Sequence, residues 1–499
     1  MNIHIDKHTR TPIYWQIADQ LKAMIVAGQL QDGAVLPSER SMAAMIGVHR
    51  NTVIKAYSHL KDEELLDSVQ GVGYRVTYRS QEFVEPDVRR KVNWSTIIKD
   101  EYQDMERTFD NFFLRAAESD NISFSSGMPP SVYDERELAA SLVNILQEEG
   151  RHNFYLSPYQ GDLTLRQRVL SYLRTKGIKA GPSQVQILSE TNQALDFIVT
   201  AILKPGDKVI IEEPVSPDVY RVIQLAGCRF ITVPVDKDGM VCEHLEALIE
   251  THRPKFIYVN SSYHDPTGNI LSVERRRKLL EISNRYRLPI IEEDAASELS
   301  FEGSVPPTLK SMDRSENVIY IYSFSLTFIP GLSMAFVVAP EKLIKSLSYL
   351  VSIRLMSLDW LTQKLLAKYI TDGKYYENAR KITELNRRKR DLMCSRLASL
   401  RELGLTFELP RGGVYVWCTL PSSVDGKAVV AECGRQGVSA IPGEIFYPNR
   451  NGGQSSIRLN YSFETEERIS QGMDIFCQVV RKLAGAQEQR VLADKNTEI

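Results

Sequence analysis

The sequence has no two cysteines close enough to form a motif; the six stand at positions 228, 242, 394, 418, 433 and 477. That scatter excludes a disulfide framework and a thiolate zinc site, so no metal is expected, and it fits a reducing compartment. The chain also lacks any apolar run near the ~20 residues a membrane-spanning helix needs. Its first residues, Met1 to Asp6, lack the apolar centre of an export signal. A soluble, cytoplasmic protein with no membrane partner is therefore expected. Excess charge of one sign is missing too. Lysine and arginine number 61 against 63 acidic residues, and residues 1–78 balance eight against eight. No global field draws the chain to nucleic acid, so any nucleic-acid surface must be local. There is no internal repeat and no low-complexity tract, which excludes a solenoid.

Length and pattern, by contrast, are present. A chain of 499 residues is too long for one ordinary domain. From Pro12 to Ala27, Ile13, Ile17, Leu21 and Ile25 recur at helical spacing, and Gly28 and Gly33 punctuate the next stretch. Ser38 stands where a helix cap belongs, before Met42, Ala43 and Ile46, and Gly47 stops that second helix. After a turn, residues 49–60 place Val53, Ala56, Tyr57 and Leu60 on one face of a third helix. Two short strands between Leu66 and Thr77, with Gly71-Val72-Gly73 at their tip, complete a winged helix-turn-helix over 1–78. Residues 79–121 mix charges and isolated aromatics without a period and read as a linker.

From 122 to 485, helical patterns alternate with short β-branched runs at Lys208–Glu212, Phe230–Val233, Phe256–Val259, Ile290–Ile291 and Val318–Tyr322. That alternation predicts an α/β fold with a mostly parallel sheet between helices. Residues 486–499 read as a polar, frayed tail.

The segment from Leu36-Pro37-Ser38-Glu39-Arg40 to the glycine-containing hairpin resembles the winged helix of GntR-type regulators. A recognition helix presents its first turn to base edges in the major groove. The resemblance therefore implies double-stranded DNA as a partner, contacted by His49, Arg50, Asn51 and Thr52. It adds Arg40 on the helix before, and Gln70, Gly71 and Gly73 at a wing tip. A solvated surface is the bland alternative for any one of these.

Residues 122 to about 483 resemble the aminotransferase-like domain of MocR-type regulators, in which a GntR reader is fused to a pyridoxal-phosphate-binding module. The resemblance rests on landmarks in order, among them Tyr159-Gln-Gly161, Asp265-Pro-Thr-Gly268, Glu292-Glu-Asp-Ala-Ala-Ser-Glu298, Pro410-Arg-Gly-Gly413 and Ile457-Arg-Leu459. It implies a homodimer. It also shows seven changed positions. Leu326 stands where the Schiff-base lysine is expected, so no catalytic residue is assigned. Lys310, upstream of the strand, is expected at the other end of the sheet. Glu293 takes the pyridine-nitrogen position, Ala295 the tyrosine, Asp265 the residue before Pro-Thr-Gly, Ser216 the stacking aromatic, Glu190 the glycine ahead of the phosphate-binding helix, and Ser333 the phosphate-binding arginine.

No bound cofactor is therefore expected, and no enzyme activity. A regulator that still holds pyridoxal phosphate noncovalently is the alternative, and an active aminotransferase a more remote one. Asn192, Asp265, Glu293, Ser323, Ser325 and Arg458 are candidates to line an effector pocket for a small carboxylate or amino-acid-like molecule. Arg458 stands between two roles: a fork for a ligand carboxylate, or an internal ion pair with Asp265 or Glu293.

Overall fold

The computed structural model describes residues 3–6, 9, 11–69, 73–77, 94, 97–98, 102, 121–125, 132, 134–150, 155–303 and 305–497, from 486 onward by backbone alone. They form two units, Met1–Ile97 and Ile98–Ile499, which divide inside the linker segment 79–121, most of it outside the described residues.

In the first unit, local chemistry sets each boundary. Helix α1 (Ile13–Val26) buries Ile17, Leu21 and Ile25. Ser38 Oγ accepts the amide of Ser41 at 3.2 Å and so starts α2 (Glu39–Ile46). Gly47, at φ 67°, closes α2 in the left-handed conformation that a side chain would oppose. His49 Nδ1 accepts from the Asn51 amide at 3.2 Å and caps α3 (Arg50–Asp62). The buried face of α3 is Val53, Ala56, Tyr57 and Leu60. The Tyr57 hydroxyl donates to the Pro37 carbonyl at 2.9 Å, tying α3 to the segment that leads into α2. Strands β1 (Leu66–Val69) and β2 (Gly73–Val76) pair antiparallel from Leu66↔Val76 to Val69↔Gly73. Gly73 therefore opens a strand and is not at the turn itself; Gln70 and Gly71 lie outside the described residues.

The second unit opens with β3 (Ile122–Ser123), α4 (Glu135–Glu149) and α5 (Leu163–Thr175). Next come β4 (Val185–Leu188), α6 (Thr191–Ile202), β5 (Lys208–Glu213), α7 (Pro217–Leu225), β6 (Arg229–Asp236), β7 (Gly239–Met240) and α8 (Leu245–His252). They are followed by β8 (Ile257–Asn260), α9 (Val273–Tyr286), β9 (Ile290–Glu293), α10 (Leu309–Met312), β10 (Val318–Ser323) and β11 (Ala335–Val338). These strands form one sheet in the order β4-β11-β10-β9-β8-β5-β6-β7. The neighbours from β10 through β6 run parallel, while β11 is antiparallel to both of its neighbours. The sheet is thus mixed and mostly parallel, with helices packed on it. Helices α11 (Glu341–Arg354), α12 (Trp360–Thr371) and α13 (Lys374–Ala398) lead to a second sheet. It holds β12 (Thr406–Phe407), β13 (Tyr415–Thr419), β15 (Ile441–Pro442) and β16 (Ser456–Asn460); α14 (Gly426–Arg435) and β14 (Val438–Ser439) fall between them in the chain.

The backbone of α15 (Glu466–Thr497) is helical through the segment read as a frayed tail. Residues 484–494, Ala-Gly-Ala-Gln-Glu-Gln-Arg-Val-Leu-Ala-Asp, are mostly strong helix formers with no proline, which favours a helix in a polar segment.

One register feature positions the candidate pocket. Ala335, the first residue of β11, lies opposite Leu188 at the end of β4 and opposite Ser323 at the end of β10. The turns leaving β4 and β10 therefore emerge side by side.

Candidate functional site

On the winged helix, Arg40, His49, Arg50 and Asn51 are exposed and Thr52 is half-buried. The cap at His49 turns the first turn of α3 outward, and α2 carries Arg40 beside it. Arg50 is not a free cation: its guanidinium lies 3.6 Å from Glu39 of α2. Lys55, which the sequence pattern did not single out, is exposed one turn along α3 from Asn51. Its i+4 spacing from Asn51 was the available signal.

In the second unit, Glu190 ends the turn after β4 and caps α6. Its carboxylate accepts the Thr191 amide at 2.8 Å and the Ser323 hydroxyl at 3.0 Å, and it also accepts from Ser325. Ser323 Oγ in turn accepts the Ser325 amide at 3.1 Å. The adjacent exits of β4 and β10 bring these three residues together. A helix N-terminus attracts an anion through its unpaired amides and dipole, and here the anion is a side chain of the same chain.

Arg458 on β16 is buried. Its guanidinium pairs with Asp265 at 2.6 Å, donates to the Ser125 carbonyl at 3.2 Å and lies 4.1 Å from the centre of the Tyr415 ring. Burial opposes its charge, but Asp265 outweighs that and holds its pKa above the ordinary arginine value. Glu293, at the end of β9, accepts the Tyr258 hydroxyl at 2.5 Å. Burial raises its pKa to about 7 against the Tyr258 bond, and the negative charges of Asp265, Glu190 and Asp218 push the same way. Asn192 reaches these groups only through Asp218, whose charge also acts on Glu293. It is exposed in the first turn of α6 and donates to Asp218 at 3.1 Å.

Leu326, in the turn after β10, packs against the clusters of Tyr263, Ile270 and Ala296 and of Leu299, Ile382 and Val414. Ser333 turns inward on its own loop, donating to the Pro330 carbonyl at 2.8 Å. Lys310 donates to the Val318 carbonyl at 2.7 Å. Val318 begins β10 and Ser323 ends it, so the amine lies about 17 Å of strand away from Ser323. His264 faces inward as well: Nδ1 meets the Thr267 hydroxyl at 2.9 Å, and Nε2 lies 3.5 Å from Glu212.

Among the described residues no group of His, Cys, Asp and Glu side chains is arranged to hold a metal, and no helix is long and apolar enough to cross a membrane. The site is thus a set of carboxylates around one guanidinium.

Residues 119–476 match the family described as aminotransferase class I and II, and residues 13–76 match the bacterial regulatory proteins of the gntR family. The chain belongs to the class I and II aminotransferase family, joined to a GntR helix-turn-helix: it is a MocR-type regulator. It is 27% identical to the uncharacterized HTH-type transcriptional regulator YdfD of Bacillus subtilis (strain 168), over 96% of this chain and 98% of that protein. It is 29% identical to the probable rhizopine catabolism regulatory protein MocR of Rhizobium meliloti, over 76% of each. Among solved structures, LysN, the alpha-aminoadipate aminotransferase of Thermus thermophilus complexed with N-(5'-phosphopyridoxyl)-L-leucine, superposes with a TM-score of 0.73. That match has 26% identity and covers 79% of this chain and all of that one. The MocR-type regulator therefore shares both parts with its full-length relatives, and the fold of its larger part with aminotransferases.

Proposed function

We propose that this MocR-type regulator binds DNA through its winged helix, while its aminotransferase-like unit performs no pyridoxal-phosphate chemistry and serves dimerisation and effector sensing. Glu190 carries the second half of that reading. The cofactor's phosphate would need the amides at the start of α6 and the two serine hydroxyls, and the Glu190 carboxylate already holds Thr191, Ser323 and Ser325. A phosphate within about 4 Å of that carboxylate would cost about 4 kcal/mol per pair of unit charges at intermediate dielectric.

The other positions agree. A Schiff base needs a primary amine, and Leu326 offers a hydrocarbon packed in a core. Ser333 supplies no compensating cation, and Arg458 is engaged by Asp265. These residues do not fit the cofactor.

DNA binding is supported by a helix-turn-helix followed by a paired hairpin, with the polar first turn of α3 exposed. A dimer is supported by Tyr155, Leu156, Tyr349, Ile353 and Met356, large apolar side chains that are 60–75% exposed. A bond of 3.0 Å from the Ser157 amide to Ser357 brings their two segments together. A second copy of the chain, meeting the same patch about a twofold axis, is the natural cover.

Two measurements test this reading. A genomic footprint of the full chain is expected to give discrete protected sites; uniform protection would overturn the DNA half. Purified protein mixed with pyridoxal phosphate and desalted is expected to retain no cofactor absorption. A retained band fixed by borohydride would overturn the cofactor half, and a retained band not fixed by borohydride would favour noncovalent binding.

A further inference from the structure

The three consecutive acids at the end of β9 face different ways. Glu293 and Tyr258 share one face of the sheet, since Tyr258 pairs with Ile291 and Asn260 with Glu293. Glu292 pairs with Tyr320 on the other face. Asp294 also turns to that face, where its Oδ2 accepts the Tyr320 hydroxyl at 2.8 Å. Beside it lies a cavity of about 660 Å³, separated by the sheet from Glu190 and Ser323.

Its floor is polar and incompletely bonded. Asp294 is fully buried and Ser262 is 1% exposed, and neither Asp294 Oδ1 nor Ser262 Oγ has a hydrogen-bond partner among the described residues. Buried polar atoms left without partners cost free energy that a ligand or water recovers. One wall carries the opposite charge. Lys176 Nζ lies 2.6 Å from Glu298 and 3.2 Å from Ser297 Oγ, contacts that occupy two of its three N–H groups. Pro306 and Met312 supply an apolar rim. The volume falls in the range of small-molecule sites, and a few convergent polar groups in such a space are what such sites use.

We propose that this cavity binds a small zwitterion of the amino-acid class. Its ammonium group donates to Asp294 Oδ1 and Ser262 Oγ, and its carboxylate accepts from Lys176. The acceptor at the floor requires a donor, and the lining sets two carboxylates, Asp294 and Glu298, against two cations, Lys176 and Arg314, a balance that suits a ligand carrying both charges. The inference rests on the effector-sensing reading and relocates it away from the cofactor cup; DNA binding does not depend on it.

The test is thermal unfolding of the full chain with each L-amino acid in excess. For any that binds, the corresponding amine without the carboxylate and the acid without the amine are then measured. At least one amino acid is expected to raise the transition of the large unit by about 2 °C at roughly ten times its Kd, with the amine weaker and the acid inert. Asp294→Asn and Lys176→Met are expected to abolish the shift, and Glu190→Gln to leave it unchanged. Lys176 is partly exposed, so its variant keeps the test valid if Asp294→Asn does not fold. No shift with any amino acid would overturn the proposal, as would a shift that survives Lys176→Met and disappears with Glu190→Gln. Gel-shift DNA binding by the same preparation separates these outcomes from failure of the regulator reading.

Discussion

Replacing Glu293 by glutamine should stabilise the large unit at neutral and alkaline pH and do little in acid. The folded-state pKa of Glu293 is about 7, against 4.5 for an ordinary glutamate, because burial and the charges of Asp265, Glu190 and Asp218 disfavour its ionised form. The folded chain therefore binds more protons than the unfolded chain between those two values, and stability falls as pH rises through that window. Below the unfolded pKa there is no penalty; above about pH 7 it is complete. At 1.36 kcal/mol per pKa unit the penalty has a ceiling of about 3 kcal/mol, since the carboxyl is only partly shielded by this chain. Glutamine carries no charge, and its carbonyl can still accept from Tyr258.

Unfolding entropy of about 2.1 cal/mol/K per residue gives the large unit about 0.8 kcal/mol/K over residues 119–476. Calorimetry should then find the large-unit transition of Glu293→Gln nearly equal to wild type at about pH 4 and up to about 4 °C above it near about pH 8. A difference that stays flat across that range would show that Glu293 ionises like an exposed glutamate. The acidic crowding of the pocket would then be refuted.

The same geometry sets other outcomes. Ser38→Ala removes the side-chain cap of α2 and should cost the winged helix about 1 kcal/mol, read as a fall of about 4–8 °C in its own thermal transition. Asn51→Ala should weaken specific DNA binding by about 1–3 kcal/mol and relax base preference. Lys55→Ala should weaken all sequences alike and lower the salt slope by about one, as titration against salt will show. Ile353→Glu places a charge in the exposed apolar patch and should shift sedimentation from dimer to monomer without lowering the monomer's helicity.

The winged helix was legible because its signals are local. Ser38, Gly47 and the spacing of Val53, Ala56, Tyr57 and Leu60 each act within one or two turns. The Arg50–Glu39 pair was not, since it depends on how two helices cross. In the large unit, the β-branched runs marked five strands of the main sheet. Strands β4, β7 and β11 escaped: β7 is only two residues long, and β4 and β11 are set by antiparallel pairing with each other, through partners far along the chain. The unusual identities at Glu190, Leu326 and Ser333 were visible in the sequence. What Glu190 does was not, because its partners Ser323 and Ser325 lie 133 and 135 residues away. The run Glu292-Glu293-Asp294 hid the second cavity in a similar way. Alternation sends neighbouring acids to opposite faces, and no local pattern shows that one of Asp294's oxygens is left without a partner among the described residues.

If the large unit holds no cofactor, as proposed, Glu190 bears on how it keeps its fold. In an aminotransferase cup, a bound phosphate satisfies the first amides of the helix and the hydroxyls facing them; without it those groups would be desolvated and unpaired, a cost of about 1–3 kcal/mol each. A carboxylate from the residue just before the helix supplies an anion covalently, at no concentration cost, and meets Thr191, Ser323 and Ser325 together. The pairing of Arg458 with Asp265 does the same for the guanidinium that would otherwise seek a carboxylate ligand. On the proposed reading, both residues put an intramolecular contact where a ligand would make an intermolecular one, and the pocket's stability is then expected to vary little with ligand concentration. On the same reading, an effector is better sought where unmet polar atoms line a cavity of ligand size, as Asp294 and Ser262 do beyond the sheet from Glu190.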